Sequence, residues 1–280
     1  MRFYISVDME GITGVVNLSQ VKTRGFDYNR FRKIMTKEVL IVIEKLTDLG
    51  ARKIVVADAH GLMTNILIEE FPEHVELISG FPRPISMVHG IWEGFDAAIF
   101  LGYHTRPLVK EGVLGHVMYR AFRRMIINGK EASEFYLNAI VSGYYNVPVI
   151  MVSGDAETCK DAKMIISEIE TVVTKISINR WSAKSFSLKK VENELKRAVE
   201  KAVKKLKDGK IKPLKTDKID VIFEFYRPDY ADIAELIPGA ERISSVEVKF
   251  NFKDPRELYN AIELITYAGL GLDYIIKEMT

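Results

Sequence analysis

Two carboxylates stand one residue apart near the start of the chain, directly after an apolar run. The apolar residues 3–7 lead into Asp8 and Glu10, and Gly11 and Gly14 follow. If the backbone stays extended through Glu10, the side chains of Asp8 and Glu10 project from the same side of the strand. Carboxylates this close repel each other unless a cation or protons lie between them. The pattern therefore predicts a site for cation binding or acid-base chemistry at the end of the first strand.

Further groups that could bind a metal or transfer a proton follow the other apolar runs that we predict to be parallel strands. The runs are 53–58, 97–102 and 148–153, and the groups at or just beyond their ends are Asp58, His60, His104 and Asp155. The carboxyl ends of parallel strands meet at one edge of an open α/β sheet, where such sheets bind ligands. Carboxylate and imidazole ligands without a thiolate suit zinc, manganese or a related divalent ion, and a shared carboxylate suits a two-metal site.

Several of the candidates also have a structural interpretation. An aspartate at the end of a strand is common as the cap of a turn or helix, so Asp58 and Asp155 taken singly are predicted to be structural. In a functional interpretation, either of them could anchor a substrate ammonium group. His74 and His89 lie away from the strand ends and are predicted to be surface or core residues.

His116 and Glu134 lie on segments whose geometry the sequence leaves open, so the structural and functional interpretations both stand for them. Cys159 is predicted to pack on a helix rather than to act as a nucleophile. Ser6 and Ser153 lack the surrounding sequence of a nucleophile elbow, which argues against a serine hydrolase.

Strand and helix patterns alternate through the first part of the chain and would position these groups. Predicted strands at 2–8, 53–58, 97–102 and 148–153 alternate with helical patterns at 28–49 and 132–145. Residues 117–128 form an extended segment that ends in a tight turn at Asn128–Gly129. Such alternation predicts an α/β fold with a mostly parallel central sheet flanked by helices.

The pattern changes in the last third of the chain. Residues 187–207 have the pattern of a lysine-rich amphipathic helix, and residues 219–226 and 243–252 alternate like half-exposed strands. Asp254–Pro255 opens a last helix that runs through Tyr267. We therefore predict an α/β metal-binding catalytic domain over residues 1–182. A smaller α+β domain over residues 183–280 is expected to carry assembly contacts and to complete a pocket.

Composition narrows the possible partners and environment. The chain has 280 residues, 48% hydrophobic and 28% charged, and a net charge of +2, so no large field favours nucleic acid or a membrane surface as a partner. A single cysteine excludes an internal disulfide and a cysteine-rich metal site, which fits a reducing cytoplasm. Early acidic residues and the lack of a long apolar run predict neither a signal peptide nor a membrane span. We therefore expect a cytoplasmic protein.

The stretch SVDMEG at residues 6–11 fits the pattern S-x-D-x-E-G. This pattern is the hallmark of the zinc-dependent D-aminopeptidases encoded with bacterial dipeptide-transport operons, and the chain resembles that family along nearly its whole length. The further stretches that carry the resemblance are, in order, ADAHG, SGFPRPISMVHG, FLGYHTR, GVLGH, INGKEASEFYLNA, GYYNVPVIMVSGD and VIFEFYRPDYADIAELIPG. An ordered run of motifs is much more specific than any one of them.

The resemblance implies a dinuclear centre with two zinc ions per subunit. The metal ligands that it implies are Asp8 as the bridging carboxylate, Glu10, His60, His104 and Glu134. It implies the catalytic role for His116. It also implies a larger α/β domain with a smaller C-terminal domain and a ring-based homodecamer whose sites face an inner cavity. The implied substrates are short peptides or amino-acid amides with a D-amino acid at a free N-terminus.

The chain also departs from the family's pattern beside the implied catalytic histidine. The segment between His104 and His116 is one residue longer, and Gly115 and Val117 stand where the family has serines. Two other functions stay open at this point. One is a dinuclear hydrolase that acts on another amide, such as a cyclic one, or on a phosphoester. The other is a protein without turnover, in which bound metal stabilises loops or an assembly.

Overall fold

The computed structural model describes residues 1–279, which form two sheets with helices packed around them. The strands are β1 (Arg2–Val7), β2 (Lys53–Asp58), β3 (Val75–Ile78), β4 (Ala97–Tyr103), β5 (Phe122–Ile127), β6 (Lys130–Glu131), β7 (Val149–Asp155), β8 (Glu170–Asn179), β9 (Ser182–Ser185), β10 (Ile219–Phe225), β11 (Glu241–Arg242) and β12 (Glu247–Phe252). The α-helices are α1 (Tyr28–Asp48), α2 (Glu134–Tyr144), α3 (Ala156–Ile165), α4 (Leu188–Lys207), α5 (Pro228–Glu235) and α6 (Pro255–Met279). Short 3₁₀ helices occupy Leu18–Gln20, Ile68–Glu70, Ser86–Val88 and Ile91–Glu93. No helix within the described residues is long and apolar enough to cross a membrane.

The first sheet has the strand order β3-β2-β1-β4-β7-β8-β9. All neighbouring pairs are parallel except β8 with β9. The four strands predicted from the sequence are its centre, β2-β1-β4-β7, and their residues are almost all buried. Central strands covered on both faces must be apolar nearly throughout, which is why these runs stood out in the sequence. The predicted α/β class with a mostly parallel sheet flanked by helices is confirmed.

The second sheet is antiparallel, with the order β11-β12-β10-β5-β6. Its β5–β6 hairpin turns at Asn128 and Gly129, which both adopt a positive φ, of 51° and 77°. This confirms the predicted tight turn, because an Asn-Gly pair tolerates the left-handed conformation at both turn positions. Helices α5 and α6 pack on each other and on β12, and α6 also packs on α2.

The last helix is longer than the sequence predicts. It runs to Met279 instead of ending at Tyr267, although Gly269 and Gly271 lower its intrinsic helix propensity. A Cβ added to Gly269 would lie 3.2–3.4 Å from ring atoms of Tyr119 and Tyr230. The helix therefore packs closely against these two rings, and this tertiary contact stabilises it at the glycine. Strands β3, β8 and β9 and helix α5 were also not predicted.

The division into domains 1–182 and 183–280 stays a prediction. The second sheet takes β5 and β6 from residues 122–131, and α4 packs on α1 and β8 of the first sheet. Strands from the first predicted domain therefore belong to the second sheet, and a helix from the second predicted domain packs on the first sheet.

Candidate metal centre

The chain leaves β1 in a tight bend that crosses the end of β4. The backbone N–H of Gly11 donates to the carbonyl of Gly102 over 2.7 Å. A Cβ on Gly11 would lie 1.9 Å from the carbonyl oxygen of Tyr103, so a glycine is required for the two backbones to approach this closely.

This bend corrects one step of the sequence prediction. Strand β1 ends at Val7, and the extended backbone does not continue through Glu10. Asp8 and Glu10 nevertheless converge, because the bend turns both side chains towards the same histidine. Tertiary contacts with β4, and not strand alternation, bring the two carboxylates together.

Asp8 lies between two histidines from neighbouring strand ends. Its Oδ1 is 3.3 Å from Nδ1 of His60, and its Oδ2 is 3.4 Å from Nε2 of His104. Glu10 approaches the same histidine as Asp8, with Oε2 2.8 Å from Nδ1 of His60. The carboxyl ends of β1, β2 and β4 therefore bring these four side chains together, as their positions in the sequence predict.

Glu134 and His116, whose placement the sequence left open, lie beside this cluster. Glu134 is the first residue of α2, where the Ser133 side chain caps the helix. Its Oε2 is 3.2 Å from Nε2 of His104, and its Oε1 is 3.9 Å from Nε2 of His116. Oε1 also accepts a hydrogen bond of 2.7 Å from the backbone N–H of Met118, which ties the loop after His116 to α2.

A backbone carbonyl fixes the orientation of each histidine in the cluster. His60 Nε2 lies 2.8 Å from the carbonyl of Val21, His104 Nδ1 lies 2.9 Å from that of Thr105, and His116 Nδ1 lies 2.9 Å from that of Leu114. A carbonyl only accepts, so each of these ring nitrogens carries the proton in a neutral ring. The opposite nitrogen then presents a lone pair to the carboxylates, which is the arrangement that metal-binding histidines adopt.

Several buried atoms in the cluster have no hydrogen-bond partner. These atoms are Asp8 Oδ2, Glu10 Oε2 and His104 Nε2. Buried polar groups are nearly always satisfied in native proteins, so unsatisfied acceptors that face one another indicate a missing positive group. Ligand atoms of Asp8, Glu10 and His104 lie within 4.8 Å of one another, as do those of His104, His116 and Glu134. A divalent cation fits this set of donors.

The cluster also perturbs the ionisation of its members. Burial and the neighbouring Glu10 raise the pKa of Asp8 to about 8. Burial opposes ionisation of Glu10 too, but the charge of His60 outweighs it and lowers the pKa of Glu10. For His104, burial is outweighed by the charge of Glu134, and its pKa rises to about 10. Burial and the adjacent His104 lower the pKa of His116, so His116 favours its neutral, proton-accepting form.

The structure supports the structural interpretation of the two strand-end aspartates. Asp58 accepts hydrogen bonds from the backbone of Asn65 and Ile66 and from the Asn65 amide, and thereby holds the loop after β2. Asp155 caps α3 through the backbone and hydroxyl of Thr158 and also accepts from the backbone of Val113. Neither aspartate lines the cavity described below, so neither is placed to anchor a substrate.

The other sequence candidates lie outside the cluster. His74 is exposed and contacts the hydroxyl of Thr47, and the ring of His89 packs against Trp92 at 4.7 Å between centroids. Cys159 is buried on α3, and burial raises the pKa of its thiol to about 12, which makes it a packing residue.

Lys175, which no sequence motif singled out, supports the backbone of the bend. It is fully buried in β8, and its Nζ donates to the backbone carbonyls of Glu10 and, over 2.9 Å, Ile12. Burial lowers the pKa of Lys175 to about 8. A lone lysine inside the β-branched run TVVTKISI was the signal that could have pointed to it, because lysine is rarely buried without specific partners.

The departure from the family's pattern beside His116 has a steric explanation at one position. A Cβ on Gly115 would lie 2.6 Å from Oγ1 of Thr105 and 2.7 Å from the carbonyl oxygen of Arg106. A serine would not fit this loop conformation without movement of the backbone. Val117, the other departure, is fully buried and packs in the hydrophobic core.

The cluster opens into a cavity of about 580 Å³. Its walls come from the bend after β1, the loop after β2, the segment 116–119 and one side of α6. The α6 residues that line it are Glu263, Thr266, Tyr267 and Leu270. The cavity has room for a short peptide, and five residues of the cluster line it, namely Asp8, Glu10, His60, His116 and Glu134.

Comparisons with known proteins agree with this arrangement. A family model described as D-aminopeptidase matches residues 1–264. A D-aminopeptidase of Bacillus subtilis (strain 168) is 37% identical over 277 residues, which cover 98% of this chain and 100% of the relative. A solved structure of the zinc-dependent D-aminopeptidase DppA from Bacillus subtilis, described as a self-compartmentalizing protease, superimposes with a TM-score of 0.91 at 36% identity. That match covers 95% of this chain and 97% of the other.

Proposed function

Since this chain belongs to the D-aminopeptidase family, we propose that it hydrolyses the N-terminal peptide or amide bond of short peptides that begin with a D-amino acid. The proposed cofactor is zinc, with two ions per subunit. The observation that carries the proposal is the set of buried, unpartnered acceptors on Asp8, Glu10 and His104, two of which, Asp8 and Glu10, line a peptide-sized cavity.

The residues that would hold the two ions are divided between the two ends of the cluster. His60 and Glu10 lie at one end, His104 and Glu134 lie at the other, and Asp8 faces both histidines with one oxygen each. Asp8 is therefore proposed as the shared ligand. When bound, zinc lowers the pKa of a coordinated water towards about 7 and polarises a carbonyl group.

His116 is proposed to move the proton that hydrolysis requires. Its Nδ1–H donates to the carbonyl of Leu114, which leaves Nε2 as the proton acceptor on the side of Glu134. The ring is partly open to the cavity, with 33% of the side chain exposed, so it can reach a substrate. Nε2 takes a proton from the attacking water and gives it to the leaving amine, as a general base and then a general acid.

We also propose that the protein assembles as a homo-oligomer, and that the oligomer is a decamer. The related Bacillus subtilis structure is described as a self-compartmentalizing protease. In this chain, α6 exposes apolar side chains that a partner subunit would cover, most of them in its second half. They include Leu264, Leu270, Tyr274, Ile275 and Met279. Light scattering and native mass spectrometry of the zinc-loaded protein would give the subunit number.

The function is tested with paired D- and L-aminoacyl amides and short peptides, beside a generic phosphodiester. We expect hydrolysis of the D-aminoacyl substrates, loss of activity on chelation and recovery with zinc. Hydrolysis of the phosphodiester alone would support the phosphoesterase alternative. If chelation unfolds the protein and no substrate is hydrolysed, the metal has a structural role. Metal analysis of the same sample gives the number of ions per subunit.

A further inference from the structure

Glu263 is a carboxylate in the cavity that the proposed mechanism does not use. It lies on α6, which packs along α2 through a hydrogen bond between the hydroxyl of Tyr259 and the side chain of Asn138. Glu134 is one helical turn from Asn138, and Glu263 is one turn from Tyr259, and both line the same cavity. Glu134 and Glu263 therefore line one cavity from two helices that pack on each other.

Glu263 has a buried oxygen beside the hydroxyl of Tyr267. Its Oε1 and the hydroxyl oxygen of Tyr267, one turn further along α6, are both buried, and neither makes a hydrogen bond of good geometry. Tyr267 and Ser86 lie close enough to Glu263 to lower the pKa of its carboxyl, against the effect of burial. The ring of Tyr267 is held by an edge-to-face contact with Phe81, at 5.3 Å between centroids. Two polar side chains on adjacent turns of one helix thus lie side by side at the cavity wall.

The neighbouring cation does not satisfy Glu263. Arg83 lies close enough to influence its charge, but the guanidinium donates to backbone carbonyls instead. These are the carbonyls of Ser86 at 2.8 Å, Ile78 at 3.2 Å and Asp58. Burial raises the pKa of the Glu263 carboxyl, so the charged form lacks solvation that a cationic ligand would restore.

The other carboxylates of the cavity are already engaged. Asp8, Glu10 and Glu134 each lie within 3.4 Å of a histidine nitrogen, and all three are proposed metal ligands. Once a cation neutralises them, they no longer attract a second positive group. Among the lining residues, Glu263 is then the carboxylate whose charge is free to act on a substrate.

Two cations also line the cavity. Lys22 and Arg24 line it next to Val21, whose carbonyl binds His60. A short peptide with both termini free has an ammonium group at one end and a carboxylate at the other. Within the cavity, the ammonium group is attracted to Glu263 on α6, and the carboxylate is attracted to these two cations.

We propose that Glu263, assisted by the hydroxyl of Tyr267, binds the N-terminal ammonium group of the substrate. This inference rests on the proposed peptidase function and names the residue that restricts it to a free N-terminus. An ammonium group supplies up to three N–H donors, which suits a carboxylate and a phenol oxygen on one wall. Glu263 is thus a specificity-determining residue that contacts substrate away from the bond that is cleaved.

The test compares Glu263→Gln with the matched control Glu257→Gln in the zinc-loaded, full-length protein. Glu257 is an exposed glutamate on the same helix and does not line the cavity. The substrates are a D-aminoacyl amide and its des-amino analogue, which has hydrogen in place of the ammonium group. For Glu263→Gln we expect KM for the amino substrate to rise by about 10-fold or more with kcat little changed, since a binding contact is lost. The preference for the amino substrate over the des-amino analogue should collapse.

Tyr267→Phe should raise KM in the same direction by a smaller factor, and Glu257→Gln should match the wild type. An unchanged KM and an unchanged preference in Glu263→Gln would overturn the assignment. If the glutamine variant fails to fold, Glu263→Asp is the second variant. Its shorter side chain keeps the negative charge but moves it away from the substrate, and an unchanged KM in this variant would count equally against Glu263.

Failure of the proposed function gives a different result. In that case the wild type hydrolyses neither substrate, and titration calorimetry with the same two amides tests the subsite alone. Tighter binding of the amino compound to wild type, lost in Glu263→Gln, would support the ammonium site without turnover. Equal binding of the two compounds to wild type would overturn it.

Discussion

The imidazole rings of His104 and His116 stack in parallel, with centroids 4.1 Å apart and planes at 9° to each other. Glu134 faces both rings, at 3.2 Å from Nε2 of His104 and 3.9 Å from Nε2 of His116. The two histidines lie at different points of the connection between β4 and β5, and both point Nε2 towards the same carboxylate. This pair joins the proposed metal site to the proposed proton carrier.

Replacing His116 should separate catalysis from metal binding. We expect His116→Ala to lower kcat by about 10²–10⁴-fold, because the proton transfer loses its positioned base and acid. Metal content should stay near that of the wild type, since His60 and His104 keep their carboxylate neighbours. His74→Ala is the control, because His74 is exposed and outside the cavity. Retained turnover in His116→Ala would remove this residue from the mechanism.

Asp8 and Glu10 should differ in how many ions depend on them. Asp8→Asn is expected to lower the content of both ions, because the two oxygens of Asp8 face His60 and His104 separately. Glu10→Gln is expected to affect chiefly one ion, because Glu10 Oε2 approaches His60. Metal analysis after dialysis measures both contents. Equal losses in the two variants would argue against Asp8 as the shared ligand.

The stability of the metal-free protein should fall as pH rises from about 5 to about 9. The folded state holds the proton on Asp8 up to a pKa of about 8, whereas an unfolded aspartate releases it near 4. His104, with a pKa of about 10, likewise binds its proton more tightly when folded than an unfolded histidine does. In this interval the folded state binds more protons, so rising pH favours unfolding. The lowered pKa values of Glu10 and Glu134 add a contribution that is already complete above about pH 4.5.

Urea unfolding of the metal-free and zinc-loaded protein across this range measures the effect. We expect the midpoint of the metal-free protein to decrease with pH, and that of the zinc-loaded protein to change less because the cation replaces the bound protons. Asp8→Asn should weaken the dependence in the metal-free protein. A midpoint that rises with pH would contradict the prediction.

Lys175 should act as a positioning residue for the metal centre. Lys175→Met would leave the carbonyls of Glu10 and Ile12 without their donor, at a cost of about 1–3 kcal/mol for each buried group. We expect a loss of about 10–100-fold in zinc affinity, the usual effect of removing a partner behind a ligand. Competition with a chelator measures it. Lys184→Met, on the neighbouring strand β9 and exposed, is the control and should bind zinc like the wild type.

Gly11→Ala should be among the most damaging single-methyl changes in the chain. Its Cβ would meet the backbone oxygen of Tyr103 at 1.9 Å, so the bend must open and the carboxylates must separate. We expect loss of bound zinc and a destabilisation well above the roughly 1 kcal/mol typical of point mutations. Gly271→Ala in α6 is the matched control, because nothing lies within 4 Å of the added atom. That change should stabilise the helix by about 0.5–1 kcal/mol.

Several features of this protein follow from the sequence alone. The apolar runs of the central strands and the groups just beyond their ends are local patterns, since a strand buried on both faces must be apolar and must end where polar residues resume. Those patterns were enough to predict the parallel sheet and to place Asp8, Glu10, His60 and His104 at one edge. The motif order was enough to predict the family, which the comparisons confirm.

Only the tertiary structure decided how the site is built. Lys175 supports Glu10 from 165 positions away, and no local pattern reports a contact at that distance. The same is true of the bend at Gly11, which depends on the backbone of β4, and of Glu263, which reaches the cavity because α6 packs along α2. Periodicity in a sequence records which faces of an element are buried, whereas the partner that each buried group meets is set by packing between distant segments. The sequence therefore determined which residues could do chemistry, and the packing decided which of them meet a substrate.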